Sequence, residues 1–231
     1  MTDLTPRTAP AAVLWDMDGT LVDTEPYWLA SERELLALYG REWTQEQGLQ
    51  LVGRGLLDSA AILRAHGVDR EPKEIVVWLT DRVRAHLKRE GIPWRPGARE
   101  LLSDLRRRGI PTALVTMSLR QMAAEVVAAI DFDAFDIIVA GDDVKNPKPD
   151  PEPYLRAADQ LGVDIRDCVA LEDSVVGIHA AVASGALTIG IPHLVDIPHS
   201  DGYLRWDTLA ERSVAQLVDV WAQRMAESHR D

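Results

Sequence analysis

Two carboxylates are placed where they could divide the work of a group-transfer reaction. Asp16 and Asp18 follow the short apolar run Ala12–Trp15, which is typical of a strand buried on both faces. In open α/β sheets, ligands bind at the carboxyl ends of the strands. One acid there can act as nucleophile or metal ligand while the other gives and takes a proton. The spacing does not fit an EF-hand, because the twelfth position counted from Asp16 is Tyr27 rather than glutamate.

A second acidic pair, Glu172 and Asp173, follows another apolar run, Cys168–Leu171. Parallel strands end at the same edge of a sheet, so this pair is expected to face Asp16 and Asp18. Four carboxylates at one edge would repel one another unless a hard divalent cation lay between them. An all-oxygen set of ligands indicates Mg²⁺.

Two further segments could hold a phosphate. Thr116, Met117 and Ser118 end an apolar run with hydroxyls and a turn of backbone N–H groups, which can cradle an anion. Lys148 lies among alternating prolines, whose stiff backbone could aim its ammonium group. Each segment has an ordinary alternative, because Thr and Ser are common in turns and a lysine in a proline-rich linker can simply be exposed.

These residues need a sheet to bring them together, and the apolar pattern predicts one. Apolar runs at 112–116 and 137–140, with a weaker one at 187–191, join the two above, and helical patterns lie between the runs. Strands that alternate with helices predict an α/β fold with a doubly wound parallel sheet.

The interval from Thr24 to Trp94 interrupts this alternation. It has the apolar spacing of three helices and no convincing strand, so we expect an inserted α-helical domain. Turn-rich segments at both of its edges are expected to act as hinges. We assign residues 10–24 and 95–231 to the α/β core and residues 25–94 to the helical insertion.

Composition limits the class of protein. Of 231 residues, 46% are hydrophobic and 27% are charged, as in an ordinary globular protein. Acidic residues outnumber basic ones 37 to 25, and the net charge of −12 disfavours nucleic acid or an anionic membrane as a partner. The single cysteine, Cys168, excludes an internal disulfide and a multi-cysteine metal cluster. Met1–Pro10 lacks the apolar run of a signal peptide, so we expect a cytoplasmic protein, a monomer or weak homodimer.

In their order along the chain, the motifs resemble those of the haloacid dehalogenase superfamily, in its branch of phosphatases and β-phosphoglucomutases with a helical cap. Asp16-x-Asp18-Gly19-Thr20 resembles the first motif, Thr116 the second, Lys148-Pro149-x-Pro151 the third and Glu172-Asp173-Ser174-x-x-Gly177 the fourth. The match spans nearly the whole chain, and four motifs in this order are far more specific than any one of them. The resemblance implies a Rossmann-like core, with the helical insertion as the cap.

The resemblance also implies a reaction. Asp16 would attack phosphorus in line to form an aspartyl-phosphate, and Asp18 would protonate the leaving oxygen and then activate water. Thr116, with the turn that contains Met117 and Ser118, would hold the phosphoryl oxygens together with Lys148.

A metal site is implied with it. Mg²⁺ would bind the Asp16 carboxylate, the Asp18 carbonyl and Asp173, with help from Glu172. Without the cation, Asp16 would repel its own anionic substrate.

The resemblance leaves two enzymes open: a phosphatase acting on a small phosphorylated metabolite, such as a sugar phosphate, and a phosphosugar mutase. β-Phosphoglucomutases hold a second phosphate with an arginine, a lysine and a histidine, and the matching positions here hold Leu56, Leu119 and Trp28. Arg54 and Arg120 lie nearby and could substitute, but the apolar replacements favour a Mg²⁺-dependent phosphatase. A non-enzymatic phosphoacceptor module, similar to a receiver domain, is a third interpretation, which the long helical insertion disfavours.

Substrate choice is expected to lie in the cap. The candidate selecting residues are Gly53 and Arg54, in a loop of the insertion, and Trp28, whose ring could line the cleft.

Overall fold

The structure is a computed structural model that describes residues 8–228. Residues 1–7 and 229–231 lie outside the described residues. Most of Met1–Pro10, the segment that we predicted not to be a signal peptide, therefore lies outside them as well. The strands are β1 Ala12–Trp15, β2 Thr112–Val115, β3 Ile137–Val139, β4 Cys168–Glu172, β5 Leu187–Gly190 and β6 Leu204–Arg205. The helices are α1 Glu25–Ala37, α2 Gln45–Leu49, α3 Leu56–Ala65, α4 Pro72–Glu90, α5 Ala98–Arg107, α6 Arg120–Ala128, α7 Glu152–Leu161, α8 Val175–Ser184 and α9 Val214–Ser228.

The six strands form one parallel sheet in the order β3-β2-β1-β4-β5-β6, which confirms the predicted doubly wound α/β fold. The five predicted strands are present with ends shifted by at most one residue. Strand β6 was not predicted, because a strand of two residues is too short to show a pattern.

The sheet is buried on both faces, as its continuous apolar runs indicated. Val13 and Trp15 of β1 pack on the face covered by α5, α6 and α9, whereas Ala12 and Leu14 pack on the face covered by α7 and α8. Burial of a side chain as large as Leu14 stabilises the fold by roughly 1.5–3 kcal/mol. The central strand therefore gives the residues that follow it a rigid support.

The helices α1 to α4 form an insertion between β1 and α5, which we call the helical insertion. We predicted three helices there, and the structure has a short fourth one, α2. It begins at a capping box in which the Thr44 hydroxyl accepts from the Gln47 N–H while the Gln47 side chain accepts from the Thr44 N–H. This signal is local, and the sequence analysis overlooked it because α2 has too few apolar residues to show helical spacing.

Two chain segments join the helical insertion to the sheet, and they run side by side. The Asp23 N–H donates to the Pro93 carbonyl at 2.7 Å, and the Arg95 N–H donates to the Leu21 carbonyl at 3.0 Å. His193, in the loop after β5, contacts both segments, with Nε2 at 2.7 Å from Asp23 Oδ1 and Nδ1 at 2.6 Å from the Arg95 guanidinium. The predicted hinges thus lie against the core, and their movement stays a prediction, as do the domain boundaries.

No helix in residues 8–228 is long and apolar enough to span a membrane.

Candidate active site

The predicted site residues meet at the carboxyl ends of three neighbouring strands. Asp16 directly follows β1, Thr116 directly follows β2 and Glu172 is the last residue of β4. Since β1 lies between β2 and β4, these three positions are adjacent at one edge of the sheet. The parallel sheet brings together residues that are far apart in the sequence, as expected.

Lys148 is the only described lysine in this group, and its ammonium connects two of the acids. Its Nζ donates to Asp16 Oδ1 and to Glu172 Oε1, each at 2.6 Å, and to the Val115 carbonyl at 2.9 Å. Burial alone would lower the pKa of Lys148, which is 2% exposed, but the two carboxylates raise it above its usual value. Lys148 is therefore a fixed positive charge beside Asp16, whereas Lys145 is exposed.

Tyr154, which the sequence analysis did not predict as a site residue, also contacts this group. Its hydroxyl donates to Glu172 Oε1 at 2.6 Å, and the Lys148 ammonium lies 5.1 Å from the centre of its ring. Ser174 donates to the other Glu172 oxygen at 3.3 Å. These contacts hold Glu172 in place, and Glu172 in turn holds Lys148. A buried tyrosine on an amphipathic helix carries no sequence signal that distinguishes it from an ordinary core residue.

Three buried acids could hold a cation. One carboxylate oxygen from each of Asp16, Glu172 and Asp173 lies within 4.8 Å of the others. Burial, and next the charge of Glu172, raise the pKa of Asp16 to about 8, although Lys148 opposes the shift. Burial and the charge of Asp16 likewise raise the pKa of Asp173 well above its usual range. Such clustered oxygen donors fit a hard divalent cation, which would offset their mutual repulsion.

Gly19 allows Asp173 to approach the loop that follows β1. Its φ is +92°, and a Cβ atom at this position would lie only 2.0 Å from Asp173 Oδ2. The glycine of the first motif is thus required both by the backbone conformation and by the nearby carboxylate.

Asp18 accepts hydrogen bonds from four side chains. Thr116 and Ser118 donate their hydroxyls to Oδ2 at 3.1 and 2.8 Å. Thr24 donates to Oδ1 at 2.5 Å, and the Trp28 indole N–H donates to the same oxygen at 3.3 Å. Two residues predicted to bind phosphate and one predicted to select substrate therefore also orient Asp18 in this structure.

The helical insertion covers the site through the loop that contains Gly53. This glycine has φ +74°, and a Cβ atom there would lie 2.5 Å from Ser174 Oγ in the core. Arg54 and Met117 line the cavity that forms between the insertion and the strand ends. The Met117 sulfur also accepts the Lys148 backbone N–H at 3.4 Å. One cavity is thus lined by predicted residues from both parts of the chain: Asp16, Asp18 and Lys148 of the core, and Trp28, Gly53 and Arg54 of the insertion.

Three polar residues of the helical insertion line the same cavity and were not predicted from the sequence: Glu25, Glu32 and Ser59. The two acids could have been noticed, because Glu25, Trp28 and Glu32 recur at the i, i+3 and i+7 positions of one helix face.

The fold and these buried acids define a class of hydrolase. A family model for haloacid dehalogenase-like hydrolases matches residues 10–185, and the chain belongs to this family. It is 35% identical over 187 residues to the phosphorylated carbohydrates phosphatase of Thermotoga maritima, covering 79% of this chain and 85% of that protein. It is 33% identical over 199 residues to hexitol phosphatase B of Escherichia coli, covering 81% and 86%. The solved structure of CbbY from Rhodobacter sphaeroides in complex with phosphate superposes with a TM-score of 0.82 at 30% identity, covering 90% and 99%.

These comparisons confirm the predicted family and the predicted fold, and they confirm that the protein is a phosphatase. The roles of the individual site residues stay predictions.

Proposed function

We propose that the protein is a Mg²⁺-dependent phosphatase that hydrolyses a small phosphorylated carbohydrate through an aspartyl-phosphate on Asp16. The observation that carries the proposal is the ion pair between Lys148 and Asp16 at the end of β1, in a cavity that Asp18 also lines. The relatives named as phosphatases of phosphorylated carbohydrates and of hexitols support the substrate class.

In the first half of the reaction, an Asp16 oxygen forms a bond to phosphorus while the bond from phosphorus to the leaving oxygen breaks. Asp18 gives its proton to that oxygen and releases the alcohol. Lys148 holds a phosphoryl oxygen and compensates charge that develops there. Thr116 and Ser118 orient Asp18, because their hydroxyls donate hydrogen bonds to its carboxylate. The turn that contains both residues receives the phosphate.

In the second half, a water molecule gives a proton to Asp18 and attacks phosphorus. The bond between phosphorus and Asp16 breaks, which frees inorganic phosphate and restores both carboxyl groups. The helical insertion, acting as a cap, would exclude other water while the first transfer occurs.

Asp16 and Asp173, with the Asp18 carbonyl, would hold the Mg²⁺ ion, and Glu172 lies within reach of the same position. The bound ion would supply positive charge that lets the anionic substrate approach Asp16. Glu172 has a second task, since it fixes Lys148 through the 2.6 Å hydrogen bond.

The remaining parts of the proposal follow from the whole chain. We assign residues 10–24 and 95–231 to a catalytic core and residues 25–94 to the cap. The net charge of −12 favours a small-molecule partner over nucleic acid. We further propose a cytoplasmic monomer or weak homodimer.

The test is release of inorganic phosphate from a panel of sugar, polyol and acid phosphate esters, with Mg²⁺ or with excess EDTA. We expect release only with Mg²⁺, and less than about 1% of it from Asp16→Asn, because the amide is a poor nucleophile and a poor metal ligand. Asp159→Asn, at an exposed position of α7, is the matched control and should keep full activity. Substantial turnover by Asp16→Asn, or isomerised phosphosugar in place of phosphate, would contradict the proposal.

A further inference from the structure

One face of helix α1 points at the reacting acids. Trp28 donates its indole N–H to Asp18, and Glu25 and Glu32 stand on either side of Trp28 along the same face. Both glutamates line the cavity that contains Asp16 and Asp18, and Ser59 of α3 lines it as well. The leaving group of a substrate bound at Asp16 would meet this face.

Two of these side chains are buried with hydrogen-bonding capacity to spare. Glu32 is 5% exposed; its Oε2 accepts the Trp43 indole N–H at 2.8 Å, and its Oε1 accepts no hydrogen bond from residues 8–228. Ser59 is also 5% exposed, and its hydroxyl makes no hydrogen bond to any described residue. Neither oxygen is a fully buried atom without a partner, and both side chains line the cavity, where a polar ligand can hydrogen-bond to them.

The electrostatics of this face disfavour an anion. Burial, and next the charge of Asp18, raise the pKa of Glu25 to about 8, and the charged groups with the largest effect on it are all acids. Burial raises the pKa of Glu32 to about 7. Arg54 lines the cavity too, but its side chain is exposed and its Nε donates to the Gln50 carbonyl at 2.6 Å. A second anionic group there would add negative charge beside Asp18 and Asp23, which already disfavour the charged form of Glu25, whereas hydroxyl groups could bind to both glutamates.

We propose that Glu25, Glu32 and Ser59 form a subsite for the hydroxyl groups of the leaving group, so that the enzyme prefers esters of neutral polyols to esters that carry a carboxylate or a second phosphate. This inference rests on the proposed function, because it concerns the leaving group of the same reaction. Carboxyl groups and a serine hydroxyl match the donors and acceptors of a polyol, and a subsite built for hydroxyls discriminates against ligands that lack them.

The experiment compares kcat/KM for glucitol 6-phosphate, whose leaving group is a neutral polyol, with kcat/KM for 2-phosphoglycolate, whose leaving group carries a carboxylate. The wild-type enzyme should prefer the polyol ester. In Glu32→Gln and in Ser59→Ala, the ratio of the two kcat/KM values should fall about 10-fold or more, mainly through KM for the polyol ester. Glu34→Gln changes an exposed glutamate of the same helix that pairs with Arg82, and it should leave the ratio unchanged.

The outcomes separate this inference from the proposed function. Preference of the wild-type enzyme for 2-phosphoglycolate, or an unchanged ratio in both variants, would overturn the subsite while Mg²⁺-dependent phosphate release still supported a phosphatase. Absence of phosphate release from every ester would overturn both. Because Ser59→Ala removes only a hydroxyl, it tests the subsite even if Glu32→Gln does not fold.

Discussion

Lys148 is a buried cation whose position depends on two carboxylates. Lys148→Ala would leave Asp16 and Glu172 buried without their shared partner, and breaking such a pair typically costs about 3–5 kcal/mol of stability. We expect phosphatase activity to fall by roughly 10²-fold or more, because the charge that holds the phosphoryl oxygen is lost. Phosphate release and thermal unfolding measure the two effects.

Lys145→Ala is the matched control, since Lys145 is exposed three residues earlier in the same loop. Greater loss of activity in Lys145→Ala than in Lys148→Ala would show that the third motif has been misplaced.

Asp18 must carry a proton in both halves of the proposed reaction. Asp18→Asn keeps the acceptor oxygen for its neighbours but cannot exchange that proton, so we expect kcat to fall by about 10²- to 10⁴-fold. The asparagine oxygen can accept from Thr24 and Trp28 while its NH2 group donates to the Thr116 and Ser118 hydroxyls, so the protein should stay folded. Steady-state kinetics beside a circular dichroism spectrum measure the effect, and a near-normal rate would assign the proton transfers to another group.

Glu32 makes stability depend on pH. Burial raises its pKa from the usual 4.5 to about 7, so the folded state binds this proton more tightly than the unfolded state. The associated stability is present below about pH 4.5 and is lost as the pH rises through about 7, by at most about 3 kcal/mol. Glu32→Gln should therefore gain stability relative to wild type between these pH values. Denaturant titrations at several pH values measure the free energy of unfolding of both proteins. If the free energies of unfolding of wild type and Glu32→Gln change in parallel with pH, this prediction is wrong.

At the scale of elements, the close approach between the loop of the helical insertion and the core depends on Gly53. Gly53→Ala would force a Cβ atom to within 2.5 Å of Ser174 Oγ and would separate the two surfaces. We expect kcat/KM to fall by about 10-fold, because a displaced cap misplaces the groups above Asp16.

Gly40→Ala is the control for backbone strain. Gly40 has a similar φ of +65°, but a Cβ atom there would meet nothing within 4 Å. This variant should lose about 1 kcal/mol of stability from strain and keep its activity. Equal kinetic loss in both glycine variants would mean that strain, rather than the contact with Ser174, limits the enzyme.

At the scale of the whole molecule, clustered acids should make stability depend on Mg²⁺. Ion binding to the folded state raises the melting temperature by mass action, and it relieves repulsion among Asp16, Glu172 and Asp173. Protons compete for Asp16, whose pKa is about 8, so the Mg²⁺-induced rise should be larger above that pH than well below it.

The measurement is thermal unfolding with Mg²⁺ and with an equal ionic strength of NaCl. Asp173→Asn should melt at a higher temperature than wild type without Mg²⁺ and should lose most of the Mg²⁺-induced rise. Asp159→Asn should keep that rise. A melting temperature of the wild-type protein that does not respond to Mg²⁺ would argue against a metal site at these acids.

The sequence by itself determined the sheet and which candidate residues meet at one edge of it. Strands buried on both faces must be continuously apolar, so β1, β2 and β4 could be read directly from their runs. Parallel strands deliver the residues after them to one edge, and this rule was sufficient to bring Asp16, Thr116 and Glu172 together. The residue types then indicated phosphate and metal binding. These residues are the carboxylates, the proline-flanked lysine and the glycines of the motifs.

Only the tertiary structure decided which partners each site residue has. Lys148 bonds to Asp16 across 132 positions of sequence, and Tyr154 and Trp28 contact Glu172 and Asp18 because helices pack them there. Glu32 and Ser59 line the cavity for the same reason, because helix packing places them there. A local pattern records whether a side chain is buried, but the identity of its neighbours depends on how separate elements pack, which no short stretch of sequence contains.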